Sequence, residues 1–179
     1  MAKELIDRTP ADDTAAVVLP VVGAARHTAS RLAESEGLAE ALGVRLAFSE
    51  RLNVREPHPA RLFGSGQLEG LSGRLSQEGV TLLIVDSALT PVQQRNLEKE
   101  LKLKVVDRTG LILEIFGLRA RTAEGRLQVE MARSLYERSR LVRTWTHLER
   151  QRGGFGFLGG PGETQIEADR RMLDHRIAK

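Results

Sequence analysis

Short apolar runs and amphipathic stretches alternate along the first hundred residues. Residues 15–22 form a continuous apolar run that predicts a strand buried on both faces, although Pro20 lacks a backbone donor and indicates an edge position or a nearby strand end. Further strands are predicted at 44–48, 80–86 and 104–107, with helices over 30–42, 67–78 and 91–101. A Pro-rich connection is expected over 51–59. This alternation predicts an α/β fold, a small parallel sheet of about four strands flanked by helices.

The third helix has the clearest predicted start. Thr90 is a candidate N-cap, and Pro91 occupies the first helical position, where its missing N–H does no harm. Gln93 completes a capping box with Thr90. The helix is therefore predicted to begin at Pro91 and to end near Leu101.

From residue 109 the pattern becomes helical throughout. Leu111, Ile112, Ile115, Phe116 and Leu118 form one predicted apolar face. A basic elbow over 119–122 precedes a long predicted helix over 123–151, which would extend about 40 Å. Its apolar positions advance by threes and fours, namely Leu127, Met131, Leu135, Leu141, Trp145 and Leu148.

A glycine-rich segment follows the long helix. Six of the ten residues from 153 to 162 are glycine, and another capping-box pattern begins at Thr164. A second helix that returns antiparallel to the first would cover the apolar stripe of each. We therefore predict a loose N-terminus over 1–14, an α/β subdomain over 15–118, and an antiparallel two-helix coiled-coil hairpin over 119–179 with its tip at 152–162.

Basic charge is concentrated in one segment. The net charge of the chain is +3, but residues 119–152 alone contain nine arginines and four glutamates. A solvated helix face would explain this composition. A nucleic-acid interface would explain it too, because guanidinium groups bind phosphate with two hydrogen bonds.

No residue set points to catalysis, a metal or a nucleotide. The four histidines lack the spacing of metal ligands, and the chain has no cysteine. The glycines from Gly64 to Gly70 match neither the Walker nor the dinucleotide spacing, and those after Gly153 follow a helix instead of a strand. We therefore expect this part of the protein to be no enzyme, with no catalytic, cofactor or metal residues.

The glycine-rich tip instead suggests RNA binding. Aromatic rings there could stack on unpaired bases, and glycine backbone amides could approach phosphates closely. The alternative is that both rings fold back onto Trp145 or Leu148. The predicted RNA-binding residues are Arg143, Arg150, Arg152, Gly153, Gly154, Phe155, Gly156, Phe157, Gly159 and Gly160.

Several long runs resemble a known family. Residues 143–151 with the following glycine loop, and residues 160–171 (GPGETQIEADRR), closely resemble the signature of the HflX family of ribosome-associated GTPases. Residues 107–116, 125–130 and 89–98 resemble further blocks of that family. The resemblance covers residues 15 to 179.

The resemblance implies both a fold and partners. It implies an α/β subdomain, an antiparallel helical hairpin and then a GTPase domain, expected after residue 179, with GTP and Mg as its cofactors. The hairpin loop would contact large-subunit ribosomal RNA near the peptidyl-transferase centre and support ribosome splitting or rescue. In this sequence the tip is about one residue longer than the family pattern and lacks its arginine. Phosphate contact would then depend more on Arg150 and Arg152.

Two alternatives and two general expectations complete the sequence-based predictions. The α/β subdomain could bind and hydrolyse a nucleotide through Gly64–Gly70 and Arg61, or the chain could regulate its own GTPase domain. No apolar run approaches the length of about 20 residues that spans a bilayer. We expect a cytoplasmic, monomeric protein.

Overall fold

The computed structural model describes residues 13–24, 26–151 and 174–175, with side chains described as far as residue 140 and at 174–175. The chain divides into two compact units, Met1–Arg119 and Ala120–Lys179. The predicted boundaries of the loose N-terminus, the α/β subdomain and the hairpin stay a prediction. Within the described ranges, no helix is long and apolar enough to cross a membrane.

The first unit contains a four-stranded, all-parallel sheet. Its strands are β1 (Thr14–Val22), β2 (Arg45–Val54), β3 (Leu82–Val85) and β4 (Lys104–Asp107), in the spatial order β2-β1-β3-β4. All three pairings are parallel. The apolar runs of β1 and β3 lie at the centre, where both faces of the sheet are covered. The predicted α/β fold with a small parallel sheet is confirmed.

Pro20 lies where the sheet can accommodate it. β3 pairs with β1 from Ala15 to Val18, whereas β2 pairs with β1 as far as Val22. Pro20 therefore follows the part of β1 that is paired on both sides. A residue without an N–H is tolerated there because a strand edge does not require that donor.

Four helices accompany the sheet: α1 (Thr28–Leu42), α2 (Ser65–Gln77), α3 (Pro91–Leu101) and α4 (Arg108–Arg119). Gly43 ends α1 with a φ of 86°, which glycine adopts without steric cost. The capping box of α3 is present, because the Gln93 N–H donates to Thr90 Oγ1 at 3.1 Å and the Thr90 N–H donates to Gln93 Oε1 at 3.0 Å. The predicted start of α3 is confirmed.

The helices cover the two faces of the sheet with separate cores. One core joins α2 and α3 to the sheet and includes the buried side chains Leu68, Leu71, Leu97, Leu83 and Val105. The other joins α1 and α4 to the opposite face and includes Leu42, Leu111, Ile115, Leu82 and Ile84. Alternating residues of β3 enter opposite cores because side chains alternate across a strand.

Two expectations need correction. The second strand was predicted over 44–48, but it continues to Val54 because residues 51–54 remain in register with Leu19 to Val22 of β1. Phe116 and Leu118 were expected in the apolar face of α4, but they are 57% and 55% exposed. Glu114 is buried in that helix instead, so α4 faces the core along a narrower stripe than its composition indicates.

The second unit begins with one long helix, α5 (Ala123–Gln151), which confirms the element predicted there. Residues 174–175 are helical, and Arg138 Nε lies 3.1 Å from Asp174 Oδ1. An antiparallel return of the chain would bring these residues together. The hairpin itself stays a prediction, because residues 152–173 lie outside the described residues.

Candidate functional site

The predicted RNA-binding tip is preceded by α5, and this helix starts with a side-chain cap. Thr122 Oγ1 accepts from the Gly125 N–H at 3.0 Å, and the Thr122 carbonyl accepts from the Arg126 N–H at 3.0 Å. Glu124 in the first turn adds a negative charge where the helix dipole favours one. The 29 residues of α5 extend about 44 Å, so the helix can carry a functional segment far from its first turn.

The structure places two of the ten predicted RNA-binding residues on this helix. Arg143 and Arg150 lie in the last three turns of α5, although their side chains are not among those described. The remaining eight, Arg152, Gly153, Gly154, Phe155, Gly156, Phe157, Gly159 and Gly160, lie outside the described residues. No contact among the ten is described, so this site stays a prediction.

Several described arginines of the second unit have partners within that unit. Arg126 Nη1 lies 3.5 Å from the Arg121 carbonyl, and Arg138 pairs with Asp174. The Arg140 guanidinium lies 4.4 Å from the centre of the Tyr136 ring, a cation–π distance. The basic composition of α5 is therefore partly structural, and the Asp174 carboxylate offsets the charge of Arg138.

A second charged cluster lies at the carboxyl edge of the sheet and was not predicted from the sequence. Asp86 follows β3, and its carboxylate contacts Arg31 Nη2 at 3.2 Å and Arg108 Nη1 at 2.7 Å. The second terminal nitrogen of Arg108 contacts Glu34 Oε1 at 2.5 Å. The hydrogen bonds that Arg108 donates to Asp86 and, to a lesser degree, to Glu34 raise the pKa of its guanidinium above the ordinary value. We name Arg31, Glu34, Asp86 and Arg108 the edge cluster.

The edge cluster lies at the topological switch point of the sheet. The connection after β1 leads to α1 on one face, and the connection after β3 leads to α3 on the other face. Open α/β sheets bind ligands in the crevice at such a point. Here both carboxylate oxygens of Asp86 are engaged by arginines that come from α1 and α4. The cluster therefore fastens two helices to the strand end.

Asp107 has a comparable structural role at the end of β4. Its Oδ1 accepts from the Gly110 N–H at 2.8 Å, and its Oδ2 accepts from the Leu89 N–H at 3.2 Å. The carboxylate thus stabilises the first turn of α4 and the loop after β3 at once. The sequence signal was an aspartate at the carboxyl end of each of two successive apolar runs, because such residues meet at one edge of a parallel sheet.

The glycine-rich turn before α2 forms the start of a helix. Since α2 begins at Ser65, Gly66 and Gly70 are helical residues. The Gly64 N–H is occupied by Gln67 Oε1 at 3.2 Å, and Arg61 Nη1 lies 3.6 Å from Glu100 Oε1. This geometry does not favour the alternative in which Gly64–Gly70 and Arg61 bind a nucleotide. Across the described ranges, no group of three or more His, Cys, Asp and Glu side chains is placed to hold a metal ion.

Two family models match the chain. The model described as GTP-binding GTPase N-terminal matches residues 29–117. The model described as GTP-binding GTPase Middle Region matches residues 119–179. The border between the two matches falls at the end of α4, beside the border between the two compact units.

Curated relatives carry the name GTPase HflX. The protein of Magnetococcus marinus is 56% identical over 142 residues, which cover 79% of this chain and 33% of the relative. The protein of Escherichia coli K12 is 47% identical over 148 residues, which cover 83% of this chain and 34% of the relative. The chain thus spans about a third of the length of these relatives.

Among solved structures, the chain is similar to a GTP-binding protein from the hyperthermophilic archaeon Sulfolobus solfataricus, determined in complex with GDP. The TM-score is 0.62 at 22% identity, with 93% of this chain and 45% of the other covered. At this identity the likeness supports the fold alone. The two family models and the curated relatives lead to one conclusion: the chain belongs to the HflX family of GTPases and matches the N-terminal and middle regions of that family.

Proposed function

We propose that the chain is the ribosome-binding region of an HflX-type GTPase that acts in the cytoplasm. Its partner is the large ribosomal subunit, and the segment after α5 contacts ribosomal RNA near the peptidyl-transferase centre. In the full-length protein, GTP and Mg bind to a separate GTPase domain, and GTP hydrolysis drives ribosome splitting or rescue. The chain itself contributes binding and placement as a monomer.

The observation that carries this proposal is that α5 is long and ends where the glycine-rich segment begins. A capped helix of 29 residues leads directly into the glycine-rich segment, and its last three turns include Arg143 and Arg150. The ion pair between Arg138 and Asp174 supports a chain that returns along α5, with the glycine-rich segment as its tip. Such a tip could enter a space too narrow for a globular domain.

The proposed contacts follow from the chemistry of the tip residues. Arg143, Arg150 and Arg152 would bind phosphates, and Phe155 and Phe157 would stack on unpaired bases. The glycines at 153, 154, 156, 159 and 160 would allow the backbone to approach RNA closely.

Co-sedimentation with purified large subunits tests the proposal. We expect Arg150→Ala/Arg152→Ala to weaken binding and to lower the slope of log affinity against log salt by about 2, one for each lost phosphate contact. Phe155→Ala/Phe157→Ala should weaken binding with little change in that slope, because stacking is largely uncharged.

A matched control separates specific contacts from net charge. Arg26 and Arg55 are exposed arginines of the first unit, and Arg26→Ala/Arg55→Ala removes the same two charges. This control should keep the affinity within about twofold of the original chain. If the control and the Arg150/Arg152 variant lose equal affinity, or if neither loses any, the tip is not the contact.

Regulation of the GTPase domain by this region remains the second hypothesis. No described contact favours it over RNA binding. GTP turnover of the full-length protein with and without residues 1–179 measures it directly. Equal turnover without ribosomes in the two forms contradicts regulation and leaves the RNA-binding proposal untouched.

A further inference from the structure

The solvent-facing side of α3 carries a row of basic side chains. Arg95 and Lys99 of this helix and Lys102, which directly follows it, are spaced by four and three residues. They therefore lie along one side of α3, over a rise of about 10 Å. All three are exposed, whereas Leu97 and Leu101 on the opposite side are buried in the core. We name Arg95, Lys99 and Lys102 the basic stripe.

The acidic side chains of α3 are occupied by other groups. Glu98 Oε1 accepts from the Val105 N–H at 3.2 Å and lies 3.8 Å from Lys104 Nζ. Glu100 Oε1 lies 3.6 Å from Arg61 Nη1. Within the described part of the chain, no side chain of the basic stripe takes part in an ion pair or a hydrogen bond. The three charges of the stripe are therefore not neutralised by a described partner.

The helix dipole accounts for only part of this pattern. Positive charge near the carboxyl end of a helix is favourable, which explains Lys99 and Lys102. Arg95 lies in the middle of α3, beyond that end effect, and like charges four residues apart repel each other. The neighbouring helix α2 covers the same face of the sheet, and its one basic side chain, Arg74, is paired with Glu50 at 2.7 Å. The unpaired basic row thus distinguishes α3 from the other helix on this face.

A polyanion with closely spaced charges fits the basic stripe. A nucleic-acid backbone offers successive phosphates, and their neutralisation releases counterions, which drives binding regardless of sequence. A membrane surface fits less well, because helices that lie on membranes insert an apolar face. The apolar face of α3 is buried against the sheet, and none of the large apolar side chains exposed in the described ranges belongs to this helix. The stripe therefore favours a phosphate backbone as its partner.

We propose that the basic stripe is a second contact site for large-subunit ribosomal RNA, and that it binds the phosphate backbone irrespective of base sequence. It belongs to the first unit, whereas the predicted tip belongs to the second. The identity of the RNA rests on the proposed function, and the phosphate chemistry follows from the stripe alone. The stripe contributes affinity and salt dependence, without recognition of bases.

A salt titration of binding to purified large subunits tests the stripe. The variant Arg95→Gln/Lys99→Gln/Lys102→Gln keeps long polar side chains and removes three positive charges. We expect it to bind at least about tenfold more weakly at physiological salt, and to lower the slope of log affinity against log salt by about 3, one for each lost phosphate contact. Far-UV circular dichroism checks that the helices are retained. Unchanged affinity and slope overturn the proposal.

A matched control again separates specific contacts from net charge. Arg26, Arg51 and Arg55 are exposed arginines of the same unit, and none has a described carboxylate partner. The control Arg26→Gln/Arg51→Gln/Arg55→Gln removes three charges and should keep the affinity within about twofold, with an unchanged slope. Equal losses in the control and in the stripe variant assign the effect to net charge and overturn the proposal.

Two comparisons distinguish the stripe from the tip and from a membrane. If the stripe variant loses affinity and Arg150→Ala/Arg152→Ala does not, the tip proposal fails and the stripe is supported. If only the tip variant loses affinity, the stripe proposal fails and the tip is supported. Vesicles of phosphatidylcholine and phosphatidylserine provide the second comparison. Loss of vesicle binding by the stripe variant, with full affinity for large subunits, assigns the stripe to a lipid surface and overturns the proposal.

Discussion

Replacing Asp86 with asparagine gives a quantitative test of the edge cluster. The Asp86 side chain is 1% exposed and accepts from two arginines whose side chains are 45% and 31% exposed. Hydrogen bonds to charged groups stabilise by about 1.5–3 kcal/mol each. The asparagine carbonyl oxygen still accepts a hydrogen bond from one of the two arginines. The other arginine is partly exposed, so water replaces its lost hydrogen-bond partner. We therefore expect Asp86→Asn to lower the free energy of unfolding by about 2 kcal/mol.

Glu34→Gln is the matched control for this change. It is also an acid-to-amide replacement, and it removes a charged partner of the same Arg108. Glu34 is 53% exposed, so its ion pair should contribute less than about 0.5 kcal/mol. Urea unfolding followed by far-UV circular dichroism measures both losses, with unchanged m-values required for the comparison. Equal losses for the two variants would refute the reasoning that burial of the acceptor sets the magnitude.

Two other predictions concern α4 and the start of α5. Leu111 is 1% exposed, so Leu111→Ala should lower the free energy of unfolding by about 2–5 kcal/mol. Phe116 is 57% exposed, so Phe116→Ala should lower it by less than about 1 kcal/mol. Urea titrations measure both values. The reverse order would mean that α4 packs through the wider apolar face expected from its composition. A β-carbon on Gly125 would lie 2.9 Å from Thr122 Oγ1 and would displace the cap of α5. In the original chain, Gly125→Ala should therefore leave the free energy of unfolding unchanged, because the better helix former displaces the cap. In a chain that already carries Thr122→Ala, the same change should raise the free energy of unfolding by about 1 kcal/mol. A double-mutant cycle measures the difference. Equal gains in both backgrounds would show that a β-carbon at position 125 does not disturb the Thr122 cap.

Local signals predicted some elements well. The start of α3 depends on Thr90, Pro91 and Gln93, which lie within four residues of each other, and β4 has the bounds expected from its apolar run. The bounds of α5 were predicted equally well because its helical spacing continues without a proline. Such elements are set mainly by interactions between near neighbours in sequence.

Long-range neighbours decided the features that were missed. The polar residues of β2 did not predict a strand, but pairing with β1 extends it to Val54. Composition placed Phe116 in the core, but the sheet offers α4 space for the stripe through Leu111 and Ile115. For the candidate RNA site, the sequence predicted the helix that precedes it, and the contacts of Arg150 and Phe155 stay a prediction.

The sequence by itself determined the order of strands and helices, the cap of α3, the length of α5 and the family. These properties depend on local patterns of apolar residues, caps and long characteristic runs. Only the tertiary structure decided that Asp86 joins Arg31 and Arg108, residues 55 and 22 positions away in the chain. It also decided that Ser134 of α5 is buried, whereas Met131 and Leu135 are exposed. The physical reason is that burial and ion pairing depend on which distant segments meet in space, and a linear pattern of residues does not specify those meetings.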